Sequence, residues 1–196
     1  MIGAVPLDPI AKFRRLYAAA ARAGAPLHDA MALATADRRG TPSVRYVLLK
    51  GADADGFVFF THGESRKGRE LARRPRAAIA FYWDAIGKQV RVEGRVRRLS
   101  AAEADAYWAT RPRESQLSGA VSLQSAPMPS HRWLLARWRR LRREVAGGEV
   151  PRPKEWGGYR VVPDAIEFWH RGPHRLHRRE RYTKRTTRWR HQLLQP

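Results

Sequence analysis

The chain has 196 residues, 43% of them hydrophobic, with seven Trp, six Tyr, six Phe and a formal net charge of +21, which is enough apolar material for one sizeable core and too much for a disordered chain. Charge this high would attract nucleic acid, an anionic membrane surface or a phosphorylated small molecule without choosing among them, and in an Arg- and Ala-rich chain part of the excess is also readable as ordinary solvated surface. The absence of Cys excludes disulfides, thiolate nucleophiles and zinc–thiolate sites. Met1-Ile-Gly-Ala-Val-Pro6 lacks the pattern of a signal peptide and no apolar run approaches the ~18 residues of a membrane span, so a soluble cytoplasmic protein is expected.

Asp8-Pro9 reads as an N-cap and a favoured first helical residue, and Ile10, Phe13, Leu16 and Tyr17 carry helical spacing as far as a stop at Gly24. From Ala30 the rhythm turns to short β-prone runs at Ala30–Ala36, Ser43–Leu49, Phe57–Thr61, Ala77–Trp83 and Gln89–Leu99. Asp37-Arg-Arg-Gly40, Asp53-Ala-Asp-Gly56 and the loop through Gly87 supply the turns between them. Val90, Val92 and Val96 alternate inward against Arg91, Glu93, Arg95 and Arg97 outward, as in an antiparallel meander or small barrel. Ser65 caps a short helix through Leu71, and Ser100-Ala-Ala-Glu103 is a capping box opening another towards Tyr107. Pro112 ends that helix and sets the next residues as a fixed turn. Pro129-Ser130 opens a long basic helix carrying Trp133, Leu134, Arg137, Trp138 and Leu141, stopped by Gly147-Gly148 and Pro151 and Pro153. Strands follow at Tyr159–Val162, Ile166–His170, Arg175–Tyr182 and Trp189–Leu194. The pattern is α+β in a single domain over 1–196, with an N-terminal helical segment at 1–25 and C-terminal strands at 155–196.

Four clusters carry chemistry. Tyr107-Trp-Ala-Thr-Arg111-Pro-Arg113-Glu-Ser115 brings a phenol, two guanidinium forks and a hydroxyl into nine residues, which suits one small phosphorylated ligand better than a polymer. Arg45 and Lys50 have odd spacing, so they serve one site only if Lys50 sits at the strand end or a bulge re-aims it. Ser65-Arg66-Lys67-Gly68 follows a strand and opens a helix, where backbone N–H groups and two cations suit an anion, with no phosphate-loop or dinucleotide fingerprint. Arg175 and His177, two apart on an expected strand, share a face; no metal site is expected, because His174 and His177 lack neighbouring carboxylates or thiols.

In order and spacing these clusters, with Arg45-x-x-Leu-Leu-Lys50, Phe59-Phe-Thr61, Ser65-Arg-Lys67, Gln89-Val-Arg-Val-Glu-Gly94, Arg111-Pro-Arg-x-Ser115-Gln116, Gln124-Ser125, Trp156-Gly-Gly158, Glu167-Phe-Trp169 and Arg175-Leu-His177, make the chain resemble the pyridoxine/pyridoxamine 5′-phosphate oxidases over nearly its whole length. The resemblance implies an antiparallel split β-barrel with flanking helices that binds FMN at a homodimer interface, and an oxidation of phosphorylated B6 vitamers to pyridoxal 5′-phosphate with O2 as acceptor. It implies that Arg45, Arg66, Lys67, Gln124 and Ser125 hold the FMN phosphate and ribityl chain, and that Gln89, Trp169, Arg179 and the Phe60-Thr61 backbone line the flavin. Lys50, Tyr107, Arg111 and Ser115 would bind the substrate phosphate, with Lys50 also adjoining the cofactor. Arg175 and His177 would cover the pyridine ring and serve catalysis.

Three departures stand out. Leu117-Ser-Gly-Ala120 replaces the family's Ile-Gly-Ala-Trp and removes an aromatic near the phosphate pocket; Phe60 stands where Tyr is common; and the chain reads Leu193-Leu-Gln-Pro196 where an Arg-Leu-x-Pro pattern is usual. The Leu-Gln-Pro ending is also similar to that of the flavin oxidases of phenazine biosynthesis, the alternative enzyme reading. A nonenzymatic nucleic-acid-binding module is a second alternative, motivated by the nine Arg or Lys against one Glu between Arg171 and Arg190.

Overall fold

The computed structural model describes residues 8–196; the part of the expected N-terminal segment that precedes Asp8 lies outside the described residues. Among them the chain forms five α-helices and nine strands in one antiparallel sheet.

Helix α1 (Pro9–Arg22) starts where expected, with the Asp8 carboxylate accepting from Ile10 N and Ala11 N at 2.9 Å each. Its Phe13 is fully buried and meets Phe57 edge-on with ring centroids 4.8 Å apart. Strands β1 (Ala30–Ala36), β2 (Pro42–Leu48), β4 (Gly56–His62), β5 (Arg76–Trp83) and β6 (Lys88–Arg98) match the expected runs to within a residue or two at each end, and a short β3 (Gly51–Asp53) is added. The turn into β4 is pinned by Asp53 Oδ1, which accepts from Asp55 N at 2.9 Å and Gly56 N at 3.2 Å. Gly56 has φ +133, and a Cβ there would lie 2.1 Å from the Val161 carbonyl, so only glycine fits.

Helix α2 (Arg66–Arg73) is capped by Ser65 Oγ, α3 (Ala101–Ala109) begins with the Ser100/Glu103 capping box, and α5 (His131–Glu144) is capped by Ser130. Between them lies α4 (Arg113–Val121), which corrects the expected fixed turn. Pro112 is its N-cap residue, with φ −53 and ψ 139, so the ring that stops α3 also delivers the chain into the next helix.

The sheet runs β2-β1-β5-β6-β7-β4-β3, with β8 and β9 added beyond β7. Strand β7 (Trp156–His170) is continuous where two strands were expected. Pro163 breaks the sequence pattern but not the ladder, because pairing passes from Glu93–Ala165 to Gly94–Pro163 and leaves Asp164 out as a bulge. The strand expected at Arg175–Tyr182 begins only at Arg178, as β8 (Arg178–Arg185), and β9 is Arg188–Leu194. Arg175 lies instead in a 3₁₀ turn (Pro173–Arg175) with φ +63 after His174 at φ +53, so the shared strand face of Arg175 and His177 does not exist. The main core joins α1 to the sheet, and a second cluster packs Trp108, Leu117, Val150 and Trp156 beneath α3, α4 and α5. Among the described residues no helix is long and apolar enough to cross a membrane.

Candidate functional site

A cleft of about 710 Å³ opens between the end of β2, strand β4, the start of α2 and the α3–α4 corner. Its size lies within the ordinary range for cofactor and substrate pockets. Eight residues singled out in the sequence line it: Lys50, Phe60, Thr61, Lys67, Tyr107, Arg111, Ser115 and Gln124. Lys50 lies two residues past the end of β2, which frees it from strand alternation and places it at the cleft with its ammonium 3.2 Å from Asp29.

Local structure explains the convergence. Ser65 Oγ accepts from Gly68 N at 3.2 Å, which starts α2 with Arg66 and Lys67 in its first turn. Lys67 Nζ donates to Gln124 Oε1 at 2.9 Å and Thr61 Oγ1 at 3.2 Å. Burial, reinforced by the nearby Arg45 charge and partly offset by Glu70, pushes its pKa down to about 8. Arg45 donates to Thr35 Oγ1 at 2.6 Å and lies 3.3 Å from Glu70 Oε2, while Arg66 Nε lies 2.9 Å from Glu70 Oε1. Burial would raise the Glu70 pKa, but hydrogen bonds from Thr35, Ser43 and Arg66 and the Arg45 charge outweigh it and hold the carboxyl at about 2. Sequence reasoning passed over Glu70, although its i,i+4 spacing from Arg66 was a visible signal. Ser125, next to Gln124, has φ +71.

The aromatic wall is a stack. Phe60 lies on Tyr107 with centroids 3.9 Å apart and on Trp156 at 5.3 Å, with interplanar angles of 14° and 12°. Trp156 opens the Trp156-Gly-Gly158 motif, and its part in this wall is visible only in the fold.

The remaining candidates lie elsewhere. Gln89, Trp169 and Arg179 form one row across β6, β7 and β8, in register. The His177 ring is 4.5 Å from Trp169, and its Nδ1 accepts from Gly172 N at 3.2 Å. Arg179 Nε donates to the buried Glu167 at 2.9 Å and its Nη1 to the Gln195 carbonyl at 3.0 Å. Arg175 is exposed on the adjoining turn. This second group gathers at the C-terminal end of β7, whereas Phe60 and Thr61 pair with Gly158 and Gly157 at its start. Eleven residues separate Gly158 from Trp169, a span of up to about 36 Å.

The residues fit FMN. Arg45, Arg66 and Lys67 against the single carboxylate of Glu70 leave a surplus of two positive charges, matching a phosphate dianion. The cleft beyond offers Thr61 and Gln124 to hydroxyls and space for a flat ring.

Comparison with known proteins places this geometry. Residues 18–143 match the pyridoxamine 5′-phosphate oxidase family, and residues 156–196 match the pyridoxine 5′-phosphate oxidase C-terminal dimerisation region. The chain is 54% identical over 189 residues to the pyridoxine/pyridoxamine 5′-phosphate oxidase of Anaeromyxobacter dehalogenans (strain 2CP-C), covering 96% of each protein. It is 50% identical over 192 residues to that of Myxococcus xanthus (strain DK1622), covering 98% of this chain and 93% of the relative. Among solved structures, PhzG from Burkholderia lata 383, in complex with tetrahydrophenazine-1-carboxylic acid, superposes with a TM-score of 0.93 at 35% identity, covering 97% of this chain and 94% of that one. A pyridoxamine 5′-phosphate oxidase-related, FMN-binding protein from Nostoc punctiforme PCC 73102 shares the fold, with a TM-score of 0.79 at 16% identity over 98% of this chain and all (100%) of the other. The nonenzymatic reading gives way to these matches. Its basic stretch folds as the β7–β8 turn and the β8–β9 hairpin, where Arg171, Arg178, Arg179 and Arg181 pair with Asp84, Glu180, Glu167 and Glu93.

Proposed function

The chain belongs to the pyridoxamine 5′-phosphate oxidase family and is an oxidoreductase with FMN as cofactor, and from that premise we propose that it oxidises pyridoxine 5′-phosphate and pyridoxamine 5′-phosphate to pyridoxal 5′-phosphate with dioxygen as acceptor. The observation that carries the substrate is the placement of Lys50, Tyr107, Arg111 and Ser115 on the same cleft as the Thr61, Lys67 and Gln124 cradle. The first set offers a phosphate two cations and two hydroxyls, and the second takes the flavin tail.

FMN, when bound, would supply at N5 an acceptor for the C4′ hydride and a route for that electron pair to dioxygen, which with the substrate's lost proton and the hydride's hydrogen becomes hydrogen peroxide. The imine from the amine substrate is hydrolysed to the aldehyde and ammonia. The protein's part is orientation and charge. The phosphate shell fixes one end of the substrate, and Arg175 covers its pyridine ring and holds C4′ in place. Because a backbone N–H can only donate, the His177 Nδ1 that accepts it leaves the neutral ring's proton on Nε2, the atom able to position the substrate or exchange a proton with it. The two groups of residues sit at opposite ends of β7, so a complete site draws one group from each chain of a homodimer, in keeping with the dimerisation region over 156–196.

Peroxide release by the purified protein with each phosphorylated B6 vitamer tests this reading; equal turnover of unphosphorylated pyridoxine would remove the phosphate shell from it. The PhzG likeness and the Leu-Gln-Pro ending support a second reading, a phenazine-type flavin oxidase, which the same assay with tetrahydrophenazine-1-carboxylic acid separates.

A further inference from the structure

Among the described residues, Lys50, Arg45 and Arg66 each have a carboxylate partner, and Arg111 has none. Its guanidinium carbon instead lies 5.1 Å from the Trp108 ring and 4.7 Å from the Trp156 ring, in the corner of two indoles inclined at 68°. Its Nη2 donates to the Ser115 carbonyl at 3.0 Å. Both indoles are close to fully buried, at 5% and 6% exposure, so they are rigid walls. Trp108 is tied by Nε1–H to the Val150 carbonyl at 2.8 Å, and Trp156 is stacked flat on Phe60.

Building on the proposed substrate, we propose that Trp108 and Trp156 are positioning residues for its phosphate, holding the Arg111 guanidinium over their rings so that an uncancelled positive charge meets the dianion. A carboxylate would also fix the guanidinium, but it would occupy the N–H fork and neutralise the charge that phosphate needs. An indole face holds the cation through its quadrupole and leaves the fork's edge open. The seat therefore favours a phosphate ester over a singly charged carboxylate. Burial lowers the Arg111 pKa without discharging it, so the guanidinium is partly stripped of water before the ligand arrives.

Holoenzyme, in which FMN fills the flavin phosphate seat, is titrated calorimetrically with inorganic phosphate. Trp156→Met should weaken binding about tenfold, and Trp156→Phe, which keeps a ring on Phe60, by about threefold or less. In an Arg111→Lys background, where a point charge replaces the stacking plane, the same Trp156 substitutions should cost about twofold or less. If Trp156→Met does not fold, Trp108→Met, which removes the other indole beside Arg111, carries the same comparison. Undiminished phosphate binding in Trp156→Met, losses as large in the Arg111→Lys background as with the native arginine, or no phosphate binding by the wild type would each overturn the proposal. With pyridoxine 5′-phosphate, KM should rise and kcat hold. Failure of the wild type to oxidise any phosphorylated vitamer overturns the substrate reading instead, and the phosphate titrations still decide the role of the tryptophans.

Discussion

Lys67 Nζ donates to Gln124 Oε1 at 2.9 Å, so an ammonium at the start of α2 is held by a neutral amide from beyond α4. Burial first, and then the Arg45 charge, bring its pKa to about 8. A bound flavin phosphate favours the charged ammonium, and it is already dianionic above about pH 6.5. FMN affinity should therefore be flat below pH 8 and fall by up to about tenfold per unit above it, with a proton taken up on binding. Fluorescence titration of the apoprotein with FMN from pH 6.5 to 9.5 checks this. Lys67→Met should flatten the profile at weaker affinity, and replacing Arg66 and Lys67 together with Ala should strip FMN during purification. A fully flavinated double variant would remove both from the cradle.

The same cradle sets an acid limit on stability. Glu70 is held at about 2 when folded, against its ordinary 4.5. A carboxylate with a depressed folded pKa adds stability where the unfolded form is ionised, above about 4.5, and the gain fades as pH falls and is gone below about 2. Glu70→Gln should lose about 1–3 kcal/mol at pH 7, through weaker hydrogen bonds from Thr35 and Ser43 first and the lost ion pairs to Arg66 and Arg45 after them. Urea unfolding at pH 7, 4 and 2.5 should show the gap between the proteins narrowing with acid. An equal gap at every pH would assign the loss to packing.

What the sequence made legible follows local rules. Val90, Val92 and Val96 are buried while Arg95 and Arg97 are exposed, because a two-residue period survives in a sheet with one covered face. Caps at Asp8, Ser65, Ser100 and Ser130 were readable because each satisfies backbone donors within three residues. The misses are places where a distant partner overrides the local signal. Pro163 reads as a strand break, yet the bulge opposite Gly94 absorbs it. Pro112 reads as the start of a turn, yet it caps α4, packed through the buried Leu117 and Val121. Spacing could place Arg175 and His177 two apart but not foresee two successive left-handed residues before β8. Nor could it reveal that the candidate residues divide into two groups along β7, because that depends on which strands pair.

The left-handed turn makes its own prediction. His174 and Arg175 have φ of +53 and +63, a region that costs a side-chain-bearing residue about 1 kcal/mol or more. His174→Gly should raise stability by up to about 1 kcal/mol and leave turnover unchanged, since glycine adopts this backbone freely. Arg175→Leu should retain FMN and lose turnover with pyridoxine 5′-phosphate. Thermal unfolding and steady-state kinetics on both variants separate strain from chemistry. An unchanged kcat/KM in Arg175→Leu would exclude the guanidinium from the reaction, and a destabilised His174→Gly would mean that the imidazole holds the turn.

The separation along β7 is the most demanding feature of the site, because Thr61 pairs with Gly157 at one end and Arg179 with Trp169 at the other. If each site takes its Lys67 group from one chain and its Arg175 group from the other, two defective chains can complement one another. A dimer of one Arg66→Ala/Lys67→Ala chain and one Arg175→Leu chain has one site with both defects and one with neither. Random assortment makes about half the dimers mixed, so co-expression should recover about a quarter of wild-type activity from two nearly inactive parents. Differently tagged chains, purified in tandem to isolate the mixed dimer, should give about half of wild-type activity with one FMN per dimer. If activity stays at the parental level although the mixed dimer forms, both groups of residues serve a site within a single chain, and the division along β7 has another purpose.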